Sequence, residues 1–558
     1  MKRIGVIATA LLVSLFVCIS CENFDEVNVN PNRAEEVSSN YLLSYVLTKT
    51  ATNYYQLTVP GSIVSGTMQY IQVGTNFRAD EVNYYGWKPA SWNGYYDILR
   101  NNQLIYDNSL EDNNHFFRAI SLTMRAFVFG LLTDLYGDIP FTSALQAEKG
   151  IFFPAYDEQR VVYAGVLTDL READNLLASL GDGDIVNPTS DLIYQGNPAK
   201  WQKFVNSLRV RYAWRLSLKA SEMAGLGVDI AEEMRSAAPK AFAGNSDNAN
   251  IEFLGLTAEN SAEGGSLNSA NPPYGYKPAQ PLVSLLLQTN DPRLHRWVSP
   301  VLQKWDSHVG TIRDSTVTNI YGESFSVQFR PAPQNYTVDT SLYVGLPVGL
   351  ANTVAMNYNK GNDQEVYHSE RSPYISMLHP RYRENTDALL RMELMTYDEV
   401  AFILAEAALA GGSGVEGSAA QYYRSGIAAS MERWGVSAAP SFNFEKFYSQ
   451  PSIDLNAAAD PHKRIMEQKW VAAWLRVDSW FDWRRTGFPD LKTGPVAQYG
   501  PRLPIRFMYP TPNLDPNYVV NYNEAVGRLE ATDYVPEGQT KDHPYAKMWL
   551  LQETSKPW

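Results

Sequence analysis

Two cysteines are all that this chain of 558 residues contains, and both stand near its start, at Cys18 and Cys21. Beyond them there is no partner for a disulfide and no thiol to act as nucleophile or metal ligand. Thiol catalysis and cysteine-held metals are therefore excluded from the folded part. Histidine is also scarce. The seven, His115, His295, His308, His368, His379, His462 and His543, are scattered and include no His-Glu-x-x-His zinc pair. Neither a Gly-x-Ser-x-Gly nucleophile elbow nor a phosphate-binding loop appears. No metal or other cofactor is expected. Positive charge is in deficit, with 47 Lys and Arg against 60 Asp and Glu and a net charge of −13. That balance leaves no basic footprint for nucleic acid. After the first twenty residues no run of 18 apolar residues remains to cross a membrane. Glycoside hydrolysis needs two placed carboxylates, and the sequence singles out no pair among so many.

What is present begins with an export signal. Lys2 and Arg3 precede an uncharged, mostly apolar run over 4–19, too short for a comfortable span and suited to a cleaved signal. Small Ser20 stands before Cys21, whose thiol can carry a lipid, and the combination resembles a bacterial lipoprotein signal. It departs from the usual site in having Cys18 three places before the cysteine, and bulky Val17 makes Cys18 itself a poor site. An ordinary signal peptide or an uncleaved anchor is the competing reading. Diacylation plus an amino-terminal acyl chain at Cys21 would hold the protein stably on a bilayer, which a single chain does not. The chain thus divides into a signal over 1–20, a lipidated acidic tether over 21–37, and one large domain over 38–558.

Within that domain, apolar spacings of three and four predict helices over 38–57, 92–109, 113–136, 159–180, 200–220, 394–412, 419–436 and 462–491. Phe116, Ile120, Met124, Phe127 and Leu131 mark one side of the third, and Gly137 and Pro140 end it. The fifth alternates apolar and basic faces, which reads as a local charge network. The segment GDGDIVNPTSD lacks calcium-loop spacing and reads as a turn. Residues 248–390 show few long periodic stretches. An irregular region of that length is more than a spacer, and loops on a rigid scaffold often bind ligands. The helical scaffold occupies mainly 38–247 and 391–490. No exact sequence period links the helix pairs.

Several blocks together resemble the SusD/RagB family, in its SusD-like nutrient-binding branch. They are LYGDIPF (135–141), IYQGNPAKWQKFVNSLRVRYAWRLS (193–217), NDPRL (290–294), MTYDEVAFILAEAAL (395–409) and QKWVAAWLRVDSWFDWRRTGFP (468–489), with the tether CENFDEVNVNPN. The resemblance runs through nearly the whole chain in order. It implies a mainly α fold, with four tetratricopeptide-like helix pairs supporting an irregular, loop-rich ligand-binding region. It also implies a lipid-anchored protein on the outer membrane of Bacteroidetes, facing the cell exterior, that captures nutrients for a SusC-like, TonB-dependent transporter. Members usually bind glycans or oligosaccharides, some relatives bind peptides, and they perform no chemistry. A structural lid with little affinity of its own, a peptide-binding homologue and a surface glycan hydrolase are the alternatives.

Aromatics are abundant, with 34 Tyr, 22 Phe and 13 Trp. A sugar ring offers an apolar C–H face and a hydroxyl rim, so a flat ring beside amide or charged groups is the pattern to seek. FRADEVNYYGWKP supplies Arg78, Asp80, Asn83, Tyr84, Tyr85 and Trp87, with loop packing or transporter contact as the competing reading. NPPYGYKP supplies Tyr274 and Tyr276, and NDQEVYHSERSP supplies Tyr367. Trp92 and Tyr96 fall at helical spacing and read as core. Trp470, Trp474, Trp480 and Trp483 read as scaffold, with Arg484 and Arg485 paired to carboxylates such as Asp478 or Asp482.

Overall fold

A computed structural model describes residues 37–74, 79–268, 275–367, 372–510 and 516–554. Its helices follow the apolar periodicity. The first is α1 (Ser39–Gln56), begun by Ser38, whose Oγ accepts from the Asn40 amide at 3.4 Å. Then come α2 (Asn93–Glu111), α3 (His115–Tyr136), α4 (Gln159–Leu177), α5 (Pro198–Arg215) and α6 (Ile230–Ala237). After the irregular region follow α7 (Tyr397–Ala410), α8 (Ala419–Arg433), α9 (Pro461–Ala472), α10 (Asp478–Thr486) and α11 (Pro516–Gly527). Asn114 and Asn197 cap α3 and α5 by accepting from the amides of Phe117 and Lys200, and Pro198 opens α5, where its missing N–H loses nothing. α3 is apolar enough to cross a membrane, at mean hydropathy 1.4, yet 89% of that stretch is buried inside the protein, so it is the central core helix.

Side-chain pairs fix the helices antiparallel. Arg118, Arg125 and Asp134 on α3 meet Glu172, Asp169 and Tyr163 on α4, in reversed order. Tyr163 and Asp174 meet Tyr212 and Asn206 on α5 in the same way. Asp398 and Phe402 on α7 face Arg433 and Gly426 on α8. A Cβ at position 426 would stand 2.9 Å from the Phe402 ring, so glycine is what lets these helices close. The result is mainly α, built from the tetratricopeptide-like pairs that the resemblance implied.

Strands are short: β1 (Ile71–Val73), β2 (Ala249–Glu252), β3 (Tyr276–Pro278), β4 (Gln303–Asp306), β5 (Arg313–Thr318), β6 (Ser324–Pro331) and β7 (Arg391–Met395). β1 pairs antiparallel with β3, and β2 with β7. β6 lies between parallel β4 and antiparallel β5.

Several stretches differ from the periodicity, among them helices at Ile230–Ala237 and Gln280–Gln288 that it did not suggest. The segment over 462–491 is two helices, not one. The chain breaks after Ala472 and passes Leu475 at φ +55. The break lets Trp474 stack on Trp297 at 5.1 Å while Arg476 and Asp478 both turn inward. The Pro-, Asn- and Tyr-rich C-terminal part contains a further helix, α11, where the pattern suggested none.

Behind those inward charges lies a dense buried network of ion pairs. Arg211 grips Glu399 with two bonds of 2.7 and 2.8 Å. Arg476 donates to Glu399 at 3.0 Å and lies 3.4 Å from Asp398. Arg433 bridges Glu393 and Asp398, and Arg215 pairs with Asp134. The Tyr54 hydroxyl donates to Asp478 at 2.7 Å. Buried charges survive only when paired and hydrogen-bonded. Here burial pushes the Asp398 carboxyl up, but Arg433 and Arg476 outweigh it and hold it below the ordinary carboxylate range. The basic face of α5 is thus the local charge network that the sequence suggested.

Arg485 also pairs as expected, with Asp482 at 3.4 Å and more closely with Glu406 at 2.7 Å. Arg484 does not. Its guanidinium lies over the Trp480 ring at 4.3 Å and donates to the Ile505 carbonyl at 2.9 Å, with no carboxylate in ion-pair contact among the described residues. Burial pulls it down to about 10. Asp478 accepts instead from the Tyr54 hydroxyl and lies 3.6 Å from Arg211.

Acid should weaken this fold. His543 is buried, accepts from the Tyr545 amide, and faces Arg506, Asp542 and the Tyr499 ring. Burial, then the Arg506 charge, pull its imidazole down to about 4. Burial lowers His295 and His379 as well. As pH falls below about 6.5 the unfolded chain binds protons that the folded chain refuses, and stability drops until the folded value is passed. His543 alone should account for on the order of 2 to 3 kcal/mol between about pH 6.5 and 4. Urea midpoints measured across that window should fall with acid, and His543→Gln should flatten the slope. An unchanged slope in that variant would exclude His543 as a source.

Candidate ligand-capture site

The β1–β3 ladder joins two segments that lie about 200 residues apart. Val73 stands opposite Tyr276, and the Gly74 amide donates to the Gly275 carbonyl at 2.7 Å. The residues that follow β1 and those that enter β3, picked out separately in the sequence, therefore share one corner.

Their roles within it divide by burial. Asn83 lies under β1, donating to the Val73 carbonyl at 2.7 Å and accepting from the Val73 amide at 2.9 Å. Tyr85 is wholly buried at φ +59, a left-handed backbone that turns its ring inward. Trp87 packs against Trp480 and Phe507 at 5.3 and 5.2 Å. These three make the floor of the corner. Asp80, Tyr84 and Tyr276 reach its surface. Asp80 lies 3.5 Å from exposed Lys88. The Tyr84 hydroxyl donates to Asn352 Oδ1 at 3.3 Å. The Tyr276 ring lies against Gly61, where an added Cβ would stand 2.3 Å from it.

Tyr367 is elsewhere. It is buried, donates to Asp363 at 2.7 Å and meets Tyr374 edge-on. Tyr374 stacks flat on Trp305 at 4.7 Å, and Arg330 donates to its hydroxyl. Together they form a small separate core beside β4 and β6. Cys21, Arg78 and Tyr274 lie outside the described residues. The scaffold tryptophans behave as read, since Trp470, Trp474, Trp480 and Trp483 are all buried. Trp92 and Tyr96 pack into the aromatic cluster of Tyr136, Tyr156 and Phe129.

Sequence reasoning missed the far side of the corner. The loops at 349–352 and 494–499 close onto it. The Gly349 amide donates to Gln72 Oε1 at 2.9 Å, and the Gln498 amide to the Tyr84 carbonyl at 2.9 Å. They add Asn352, Gln498 and Tyr499 to the rim. The Gly-Pro turn at 494–495 beside Tyr499 was the available signal, since it repeats the turn-plus-tyrosine pattern of NPPYGYKP. The two loops meet backbone to backbone, and a Cβ on Gly494 would stand 1.9 Å from the Val348 carbonyl. Gly494→Val should destabilise the chain by about 1–3 kcal/mol and raise amide exchange over 345–352 and 494–498 more than in α3. Unchanged exchange there would show that the contact is looser than described.

Comparison with known proteins decides the family. The SusD-like model described as "Starch-binding associating with outer membrane" matches residues 31–510. The chain belongs to the SusD-like family. Like its family, this SusD-like protein is an outer-membrane lipoprotein that faces the cell exterior, binds nutrients beside a SusC-type transporter, and is not an enzyme. No curated protein matches it. Solved structures confirm the fold. A SusD homolog from Bacteroides fragilis NCTC 9343 is 24% identical with a TM-score of 0.69, covering 93% of this chain and 100% of that one. An outer-membrane protein from Bacteroides vulgatus ATCC 8482, described as involved in nutrient binding, is 24% identical with a TM-score of 0.70, covering 92% and 100%. A chitin-binding protein is 24% identical with a TM-score of 0.68, covering 92% and 99%.

Proposed function

We propose that this SusD-like protein captures a glycan or oligosaccharide at the β1–β3 corner and delivers it to its SusC-like, TonB-dependent transporter. The observation that carries this is the ladder itself. It brings the segments of two partly exposed tyrosines, Tyr84 and Tyr276, to one corner, and separate contacts set Asp80, Lys88, Asn352 and Gln498 beside the Tyr84 segment. Rings can cover sugar C–H faces while the charged and amide groups replace water on the hydroxyls. The packed floor of Asn83, Tyr85 and Trp87 holds the corner in advance, which limits the entropy lost on binding. The family model is described as starch-binding, and the chitin-binding protein has the same fold.

Calorimetry of the lipidated chain in a non-glycosidic detergent, against polysaccharides, oligosaccharides and peptides with product analysis alongside, tests the reading. A saturable glycan signal without products, unaffected by chelator, is expected. Products would mean a hydrolase, and signals from peptides alone would mean a peptide-binding homologue. Binding seen only with the transporter present would mean a lid.

The anchor is proposed at Cys21. Cys21→Ser should move the protein from the membrane fraction to the soluble fraction and remove the lipid mass. Retention at the membrane would place the anchor elsewhere.

A further inference from the structure

A second concave site lies on the helical scaffold, away from the corner. It is a groove of about 430 Å³ between α2, α3 and the loop over 141–150, within the range of about 300–1,000 Å³ usual for small-molecule sites. Its floor is aromatic, with Phe129 and Phe141 edge to face at 4.8 Å. One wall is polar. Gln103 and Asp107 stand four apart on α2, and Gln103 donates to one Asp107 oxygen at 2.9 Å. The Gln103 carbonyl oxygen and the second Asp107 oxygen take no other hydrogen bond among the described residues.

Beside them Arg125 is fixed in place. Asp169 holds it at 2.7 and 2.6 Å, and it lies 5.3 Å from the centre of the Tyr106 ring. The opposite wall is pre-ordered too. Asp157 accepts from the amides of Phe141 and Thr142 and from the Thr142 hydroxyl. Gln146 Nε2 donates back to the Thr142 carbonyl at 2.8 Å. Leu145, on the groove lining, is held at φ +62, a backbone that a bulky side chain rarely adopts.

Charge narrows the ligand. Asp169 cancels Arg125, and Lys149 offsets only one of Asp107 and Glu148, so the groove carries a slight negative surplus. Phosphates, sulfates and uronates are disfavoured. An apolar floor beneath fixed amide, carboxylate and guanidinium groups suits a ring with C–H faces and neutral hydroxyls.

We infer that this groove is a second saccharide site, for an uncharged mono- or disaccharide, on the scaffold helices. It shares no lining residue with the corner and does not depend on it.

The test uses the lipidated chain carrying Tyr84→Ala and Tyr276→Ala, which removes the corner rings, in a non-glycosidic detergent. Maltose, cellobiose and N,N′-diacetylchitobiose are the probes, followed by saturation-transfer NMR and calorimetry. At least one should still bind, with Kd on the order of mM. Adding Gln103→Trp, which fills the groove, should abolish that binding. Gln146→Ala with Lys149→Ala, both on the loop surface, should weaken it by about tenfold, or 1.4 kcal/mol, and covers the case in which Gln103→Trp does not fold. Residual binding that ignores the groove variants overturns the inference. So does the absence of binding by every probe in the corner variant when its melting curve is unchanged. A failed corner with an intact groove signal would instead count against the capture site alone.

Discussion

Arg211→Met should destabilise the chain by about 3–5 kcal/mol, the scale of breaking one partner out of a buried ion pair. Glu399 would keep only Arg476, and Asp478 would lose a guanidinium 3.6 Å away. The Leu394 carbonyl would lose a donor at 2.9 Å as well. Most of the effect is the desolvation of the charge left behind, not the lost attraction. Replacing both partners should therefore be milder than replacing one. Arg211→Met with Glu399→Gln should recover more than half of the loss. Urea midpoints at constant slope measure both variants. A loss under about 1 kcal/mol for the single variant would show that the network behaves like a solvated surface pair.

The second large effect concerns affinity. Tyr84→Ala and Tyr276→Ala together should weaken binding of the best glycan ligand by about a hundredfold, since a well-placed aromatic contact is worth about 1–2 kcal/mol and each 1.4 kcal/mol is tenfold. The two rings belong to different segments, so their losses should be close to additive if they cover different sugar units. Tyr84→Phe keeps the ring and removes only the hydroxyl that donates to Asn352. It should cost no more than a few-fold, about 1 kcal/mol. Unchanged affinity in the folded double variant would rule out the corner as the capture site.

How far sequence reached depends on the range of the interaction involved. α3 was readable because its apolar side repeats within the segment, and its stop at Gly137 is local. The break at Leu475 was not, because it follows from where Arg476 and Asp478 find partners in α5 and α7. Tyr85 and Trp87 look like surface-loop aromatics by composition. Only the left-handed turn at Tyr85 and the approach of Trp480 and Phe507 show that they face inward. Tyr84, one place earlier, keeps an open face. Neighbours in a loop divide between core and surface by backbone torsion, which residue type does not report. The rim at 349–352 and 494–499 depends on a contact between chain segments some 145 residues apart, beyond the reach of any local pattern.

Helical-repeat chains whose units touch only their neighbours tend to fray from one end. This one is cross-tied. Tyr54 on α1 bonds Asp478 on α10, near which lie Arg211 and Arg215 of α5, and those two arginines hold Glu399 on α7 and Asp134 on α3. A pull on α1 is shared at once among helices from the far half of the sequence. Such a body moves as one stiff piece, so the stacked helices keep their shape against a membrane partner.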